Sequence, residues 1–150
     1  VYDINVILII TAMKMIEDKG KQPAVFNLEE LVIENQAYRQ TIWTGYNMQV
    51  TVMSIPVGGE IGLEEHHNIE QFIRVDQGQG KVYMGQKSDE LTFVADIEDG
   101  YSVHVPAEIF HNIVNTGTEP LQLYSIYAEP EHPFGTVHLT KADADEAEHE

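Results

Sequence analysis

The feature that most constrains this chain is its punctuation. Beyond Pro23, short runs of β-branched, aromatic and aliphatic residues are separated by Gly, Pro, Asn and Asp at intervals of about ten residues. The runs are Tyr38 to Thr44, Met48 to Ile55, Ile69 to Val75, Lys81 to Met84, Leu91 to Val94, Ser102 to Val105, Phe110 to Val114 and Leu121 to Tyr127. Eight such runs predict an all-β chain whose antiparallel strands close into a barrel or jelly roll. Helical patterning is confined to Leu28 to Asn35 and to Lys141 to Glu150, each too short to be stable alone.

The 150 residues, 43% of them apolar, suffice for one domain with a core. The absence of cysteine excludes disulfide scaffolds, thiolate zinc sites and cysteine nucleophiles. Eight basic residues against 25 acidic ones give a formal charge of -17, which repels phosphate backbones and anionic lipid, so neither nucleic acid nor a membrane surface is an expected partner. The longest apolar run, Ile4 to Ile10 with Asn5 inside it, falls short of the roughly 20 residues a bilayer requires. No small-residue cleavage site follows it in the usual form, and the expected location is cytoplasmic. Residues 1–22 read as an N-terminal extension, residues 23–138 as the barrel, and residues 139–150 as an acidic, solvated and partly disordered tail.

Alternation along the strands assigns faces. Val50 and Val52 share one face of their run, Gln49 and Thr51 the other. In Ile69 to Val75, the apolar set Ile69, Ile73 and Val75 carries Gln71 inward and sends Glu70, Arg74 and Asp76 outward. An amide buried without a partner costs about 1 to 3 kcal/mol, so Gln71 needs something to bind.

Two spacings carry the chemistry. Gly59, five residues, Glu65-His66-His67, three residues, Gln71, six residues and Gly78 match the pattern G-x5-H-x-H-x3-4-E-x6-G with two ligand positions substituted. Gly100, five residues, Pro106, Ala107, Glu108, two residues, His111, three residues and Asn115 match G-x5-P-x-G-x2-H-x3-N, with Glu108 where glycine is usual. By these motifs the chain resembles the cupin superfamily over roughly residues 38 to 128, and is similar to small single-domain bacterial cupins with a Glu-x-His first motif, often labelled as related to phosphomannose isomerase. The resemblance implies a double-stranded β-helix, the jelly-roll barrel of that superfamily, holding one divalent metal. It also implies a homodimer, for which the apolar Val6 to Ile10 is a suitable exchanged strand.

Carried over position by position, the implied ligands are Glu65, His67, Gln71 and His111. Parity agrees, because 65, 67 and 71 differ by even numbers and share the inward side in extended chain, leaving Glu64, His66 and Glu70 outward. The shifted register, Glu64-x-His66 with Glu70, places the acid seven residues from Gly78 instead of six. Two imidazoles, a carboxylate and an amide suit iron(II), manganese, nickel or zinc. The resemblance implies either a metal-dependent enzyme for a small organic molecule or sugar derivative, of oxygenase, isomerase or lyase class, or a non-catalytic module binding a small-molecule ligand in the same pocket. Glu108 is the one rim residue placed to serve as a general acid or base. His104, His132 and His138 read as surface or structurally bonded residues.

Overall fold

The computed structural model describes residues 15–148. The Val6 to Ile10 segment lies outside the described residues. The strands are β1 (Arg39–Thr44), β2 (Gln49–Ile55), β3 (Glu70–Gln77), β4 (Gln79–Gly85), β5 (Phe93–Glu98), β6 (Ser102–Val105), β7 (Phe110–Asn115), β8 (Leu121–Ala128) and β9 (Val137–His138). Two helices, α1 (Leu28–Glu34) and α2 (Lys141–Glu148), flank them. A six-stranded sheet in the order β6-β3-β8-β2-β1-β9 faces a three-stranded sheet in the order β5-β4-β7, and every pairing is antiparallel. This is the all-β, two-sheet barrel expected from the punctuation.

The inward face of the large sheet changes character along the strands. Cross-strand rows run Ile55 with Leu121, then Met53, Leu123 and Val75, then Thr51, Ser125 and Ile73, and finally Gln49, Tyr127 and Gln71. Directly paired residues of an antiparallel ladder share a face, so the barrel is filled with hydrocarbon at one end and with polar side chains at the other. The small sheet follows suit: β7 points Ile113 into the apolar core and His111 toward the polar end, with Met84 opposite His111. The apolar end packs Met53, Ile55, Ile73, Val75, Val82, Ile97, Ile113, Leu121 and Leu123, each at most 5% exposed.

The opposite face of the large sheet is buried too. Val32 of α1 packs on Ile42 and Val52, joined by Ile16, Phe26, Leu28 and Leu31. The helix starts where Asn27 accepts from the Glu30 N–H at 3.2 Å and ends where Gln122 Nε2 donates to the carbonyls of Val32 and Asn35, both at 2.7 Å.

One expected strand is displaced, and both ends of the barrel carry further structure. The run expected at Leu91 to Val94 becomes a strand at Phe93–Glu98, because β5 is a sheet edge whose position is set by its ladder with β4; Phe93 and Val94 stay exposed, so hydrophobicity was a poor guide there. The C-terminal segment, where helical patterning was expected within an acidic tail, is helical over Lys141–Glu148, with Ala144 buried in the main core. The segment before residue 23 is tied into the barrel. Asp18 Oδ1 accepts from the Gly20 and Thr44 N–H groups at 3.0 Å each, and Oδ2 accepts from Thr44 Oγ1 at 2.6 Å and from the Gly135 N–H at 3.1 Å.

Burial alone would raise the Asp18 pKa, but the hydrogen bonds from Thr44, Gly20 and Gly135 bring it below its ordinary value. Replacing it orphans several buried donors, so Asp18→Ala is expected to lose about 2 to 3 kcal/mol of stability at pH 7. A carboxylate with a depressed folded-state pKa contributes stability that is present above the unfolded pKa of about 4 and is lost as the pH falls below it. Urea denaturation at pH 7 and at lower pH therefore shows the gap between wild type and Asp18→Ala closing on acidification.

Candidate metal centre

Three potential ligand side chains converge at the polar end. Glu64, His66 and His111 each bring one ligand atom within 4.8 Å of the others. His66 and His111 are buried, the Glu64 side chain is 13% exposed, and the two imidazole rings stand 5.1 Å apart.

Local backbone explains this meeting. Residues 60–64 run antiparallel beside β7, with bridges between Glu60 and Val114 and between Glu64 and His111. The first strand advances four residues while β7 retreats three, so the register slips by one around Gly62, whose φ of 97° no residue with a Cβ adopts readily. Glu64 and His111 exchange both backbone hydrogen bonds at 2.9 Å, which puts their side chains on the same face. His66 follows on the same parity. A turn at His67 and Asn68, where Asn68 adopts a φ of 57°, then resets the phase before β3 begins.

The reset overturns part of the expected ligand set. Glu65 is exposed and the His67 side chain is 82% exposed, so neither meets His111. Alternation from β3 does not extend back through a left-handed turn, which is why the inward residues of the loop are Glu64 and His66. Gln71 is buried on the inward face as expected, donating from Nε2 to Ser125 Oγ at 3.1 Å and leaving Oε1 without a partner. Glu70 faces solvent as expected. The sequence held a usable signal: the first motif allows a gap of four residues, and Gly58, five residues, Glu64-x-His66, four residues, Gln71, six residues and Gly78 satisfy it throughout.

Each converging side chain has a partner on its far side. Glu64 Oε1 lies 3.5 Å from Nη2 of Arg39, which is 2% exposed, while its Oε2 faces the Nε2 atoms of His66 at 3.5 Å and His111 at 3.7 Å. His111 Nδ1 lies 3.0 Å from the Ile109 carbonyl, a contact that requires a proton on Nδ1 and leaves Nε2 a buried lone pair without a hydrogen bond. His66 Nδ1 lies 3.3 Å from Glu131 Oε2, an ion-pair separation that falls short of hydrogen-bond geometry.

Electrostatics separates the two histidines. Burial pushes His111 below the ordinary histidine value, so it is neutral at pH 7. Burial works against the His66 charge as well, but Glu131 and Glu64 outweigh it and hold the group up at about 9. Against its burial, the contact with His66 and the charge of Arg39 in turn hold Glu64 below its ordinary value and keep it ionised.

Other expected residues find structural roles. Glu108 adopts a φ of 65°, which accounts for the glycine usual at that position of the motif. Its N–H donates to the His66 carbonyl at 2.9 Å, and its Oε1 accepts from the Asn68 N–H at 2.8 Å and sits 2.9 Å from His67 Nδ1. His104 is exposed, 3.1 Å from Ser102 Oγ. His132, expected on a surface loop, folds back edge-on against the buried Tyr127, and burial lowers its pKa to about 3. Among the described residues, no helix is long and apolar enough to cross a membrane.

Comparison with known proteins gives the same architecture. The family model described as Cupin domain matches residues 51–127. The uncharacterized protein YrkC of Bacillus subtilis (strain 168) is 49% identical over 134 residues, spanning 89% of this chain and 72% of YrkC. The crystal structure of BH2720 from Bacillus halodurans has a TM-score of 0.86 at 50% identity, covering 87% of this chain and 99% of that one. A Klebsiella pneumoniae protein with a double-stranded β-helix domain has a TM-score of 0.61 at 19% identity over 79% of this chain and 100% of its own, a likeness of fold alone.

The metal-free protein is expected to lose stability as the pH rises. His66 has a folded-state pKa of about 9, above the ordinary 6.5, so its contribution is complete below pH 6.5 and is lost on titration through 9. Thermal melts of chelator-treated protein across this interval show the loss, and His66→Gln flattens it.

Proposed function

This chain belongs to the cupin superfamily, and we propose that it is a metal-dependent cupin enzyme acting on a small organic molecule inside its barrel. The observation that carries this reading is the convergence of Glu64, His66 and His111, with the inward Nε2 of His111 and Oε1 of Gln71 buried and unpartnered. Unpaired polar atoms in a barrel cost about 1 to 3 kcal/mol each, and a cation coordinated by them removes that cost. Two imidazoles and one carboxylate are a donor set suited to iron(II), manganese, nickel or zinc. Gln71 Oε1 is our fourth donor, since Ser125 holds its amide nitrogen and leaves the oxygen free.

A bound divalent ion would polarise a substrate oxygen at its open coordination positions. The chain's own groups hold that arrangement. Arg39 pins one oxygen of Glu64 and directs the other toward the histidines, and the Ile109 carbonyl fixes the His111 tautomer. Tyr127, fully buried, keeps its phenol protonated because burial raises its pKa, and its ring stands 5.6 Å from that of His66. A cleft of about 530 Å³, lined in part by Met84, Lys87, Phe93, Pro106 and Ile109, falls in the size range of small-molecule sites. None of Glu64, His66, Gln71 and His111 lines it; its link to the proposed centre is through Met84, the cross-strand partner of His111, and Ile109, whose carbonyl contacts the His111 ring.

Purified protein is expected to hold about one transition-metal ion per chain by elemental analysis. Glu64→Ala, His66→Ala and His111→Ala lose it, whereas Glu65→Ala and His67→Ala keep it; equal retention in all five rejects the assignment. Because His66 carries a proton in the metal-free state, loading zinc at pH 7.5 releases about one proton per ion, read by calorimetry in buffers of different ionisation enthalpy. Turnover of small acids and sugars, screened in air and under argon, requires the restored ion. A metabolite recovered unchanged from the pocket, with no product under any of these conditions, supports a binding module instead.

A further inference from the structure

The segment between β8 and β9 carries a feature that neither motif contains. It leaves the barrel at Ala128, crosses the polar end and returns at Val137. Its backbone is clamped from within. Gln49, fully buried, accepts on Oε1 from the N–H groups of Glu131 at 3.1 Å and His132 at 2.9 Å, and donates from Nε2 to the His132 carbonyl at 2.7 Å and to Thr44 Oγ1 at 3.0 Å. An amide accepts at its oxygen and donates from its nitrogen, so it can satisfy both kinds of strap backbone group where an apolar residue would satisfy neither. Edge contact between Tyr127 and His132, with ring centroids 5.3 Å apart, seats the next residue. The result delivers the Glu131 carboxylate, 29% exposed, to within 3.3 Å of His66 Nδ1.

We infer that Glu131 is a positioning residue that fixes His66 as a ligand, by accepting from Nδ1 and presenting Nε2 to the cation. This rests on the metal reading given above. Glu131 lies beyond the matched family region, which ends at residue 127, so the strap supplies to His66 what the Ile109 carbonyl supplies to His111 from within the second motif. An imidazole held by a carboxylate is a fixed tautomer and a more basic donor than a free ring, and removing such a partner costs about 10- to 100-fold in metal affinity. The 3.3 Å separation is that of two groups already facing each other.

The test is titration of chelator-treated wild type, Glu131→Ala, Glu131→Gln and the exposed strap control Glu129→Ala with zinc or cobalt(II). Glu131→Ala is expected to bind about 10- to 100-fold more weakly, Glu131→Gln to recover part of the loss through its remaining carbonyl oxygen, and Glu129→Ala to match wild type. In the zinc-loaded protein, a slowly exchanging Nδ1–H resonance of His66 is present in wild type and absent in Glu131→Ala, while that of His111 persists in both; circular dichroism confirms the fold. Unchanged affinity and an unchanged His66 resonance in Glu131→Ala overturn the inference. If His66→Ala then still abolishes binding, only the role of Glu131 has failed. If wild type and His66→Ala bind alike, the metal reading itself has failed.

Discussion

A barrel this small cannot carry polar side chains inside unless each one is satisfied, and that constraint organises the whole polar end. Gln49, Thr51, Ser125, Gln71, Arg39 and His111 are all at most 4% exposed. Leaving any one unpaired costs an appreciable fraction of a marginal folding free energy of about 5 to 15 kcal/mol. Much of the fold can be read as the answer: Gln49 is saturated by the strap and Thr44, Gln71 by half through Ser125, and Arg39 faces Glu64. Unanswered atoms occur at several places in the barrel, Thr51 Oγ1 and Gln122 Oε1 included, and two of them, His111 Nε2 and Gln71 Oε1, lie on the inward faces of β7 and β3. A polar end needed only for folding could have been built from hydrocarbon. Its survival beside an apolar half of the same strands marks the polar end as the candidate site.

The site is assembled from four separate pieces of backbone, and each is fixed by main-chain hydrogen bonds rather than by the side chains it presents. Glu64 is locked to β7 by a reciprocal pair of bonds to His111, and His66 is tethered through its carbonyl to Glu108. Arg39 belongs to β1, held between β2 and β9. Glu131 hangs from Gln49. Side chains on such supports have their positions set by the backbone, at the expense of placing charges of both signs close together in a nearly dry space. Arg39 and Glu64 offset one another there, and the proton on His66 offsets Glu131.

What could be read from the chain and what could not divides at one turn. Within β3, alternation assigned Gln71, Ile73 and Val75 inward and Glu70 outward, and the ladder agrees because a continuous strand has no freedom to change phase. The spacing Gly100 to Asn115 likewise located His111, since β7 is a single unbroken strand. Parity failed upstream of β3 because it was carried through Asn68, a residue with positive φ, and past the register slip at Gly62. A period of two has meaning only in extended chain. Glu65 and His67 were therefore exchanged for Glu64 and His66, while the donor types, one carboxylate and one imidazole, stayed as expected. No local pattern gave Arg39 or Glu131 a role at the site: one reads as an ordinary strand residue, the other as part of a terminal segment, and only the register of β1 with β9 and the clamp on Gln49 reveal them.

The same turn explains the departure from the second motif. A non-glycine residue in the left-handed region costs about 1 to 2 kcal/mol, so Glu108 would be a poor choice if its backbone alone mattered. Its carboxylate, however, accepts from the N–H of Asn68, itself left-handed at a φ of 57°, and lies beside His67 Nδ1. That hydrogen bond is solvent-exposed, so it offsets only part of the strain at Glu108. Glycine would relax one loop and free the other. The glutamate thus clasps the two loops that bear His66 and His111, and the exposed His67 is part of that clasp on the outside of the centre that His66 enters from within.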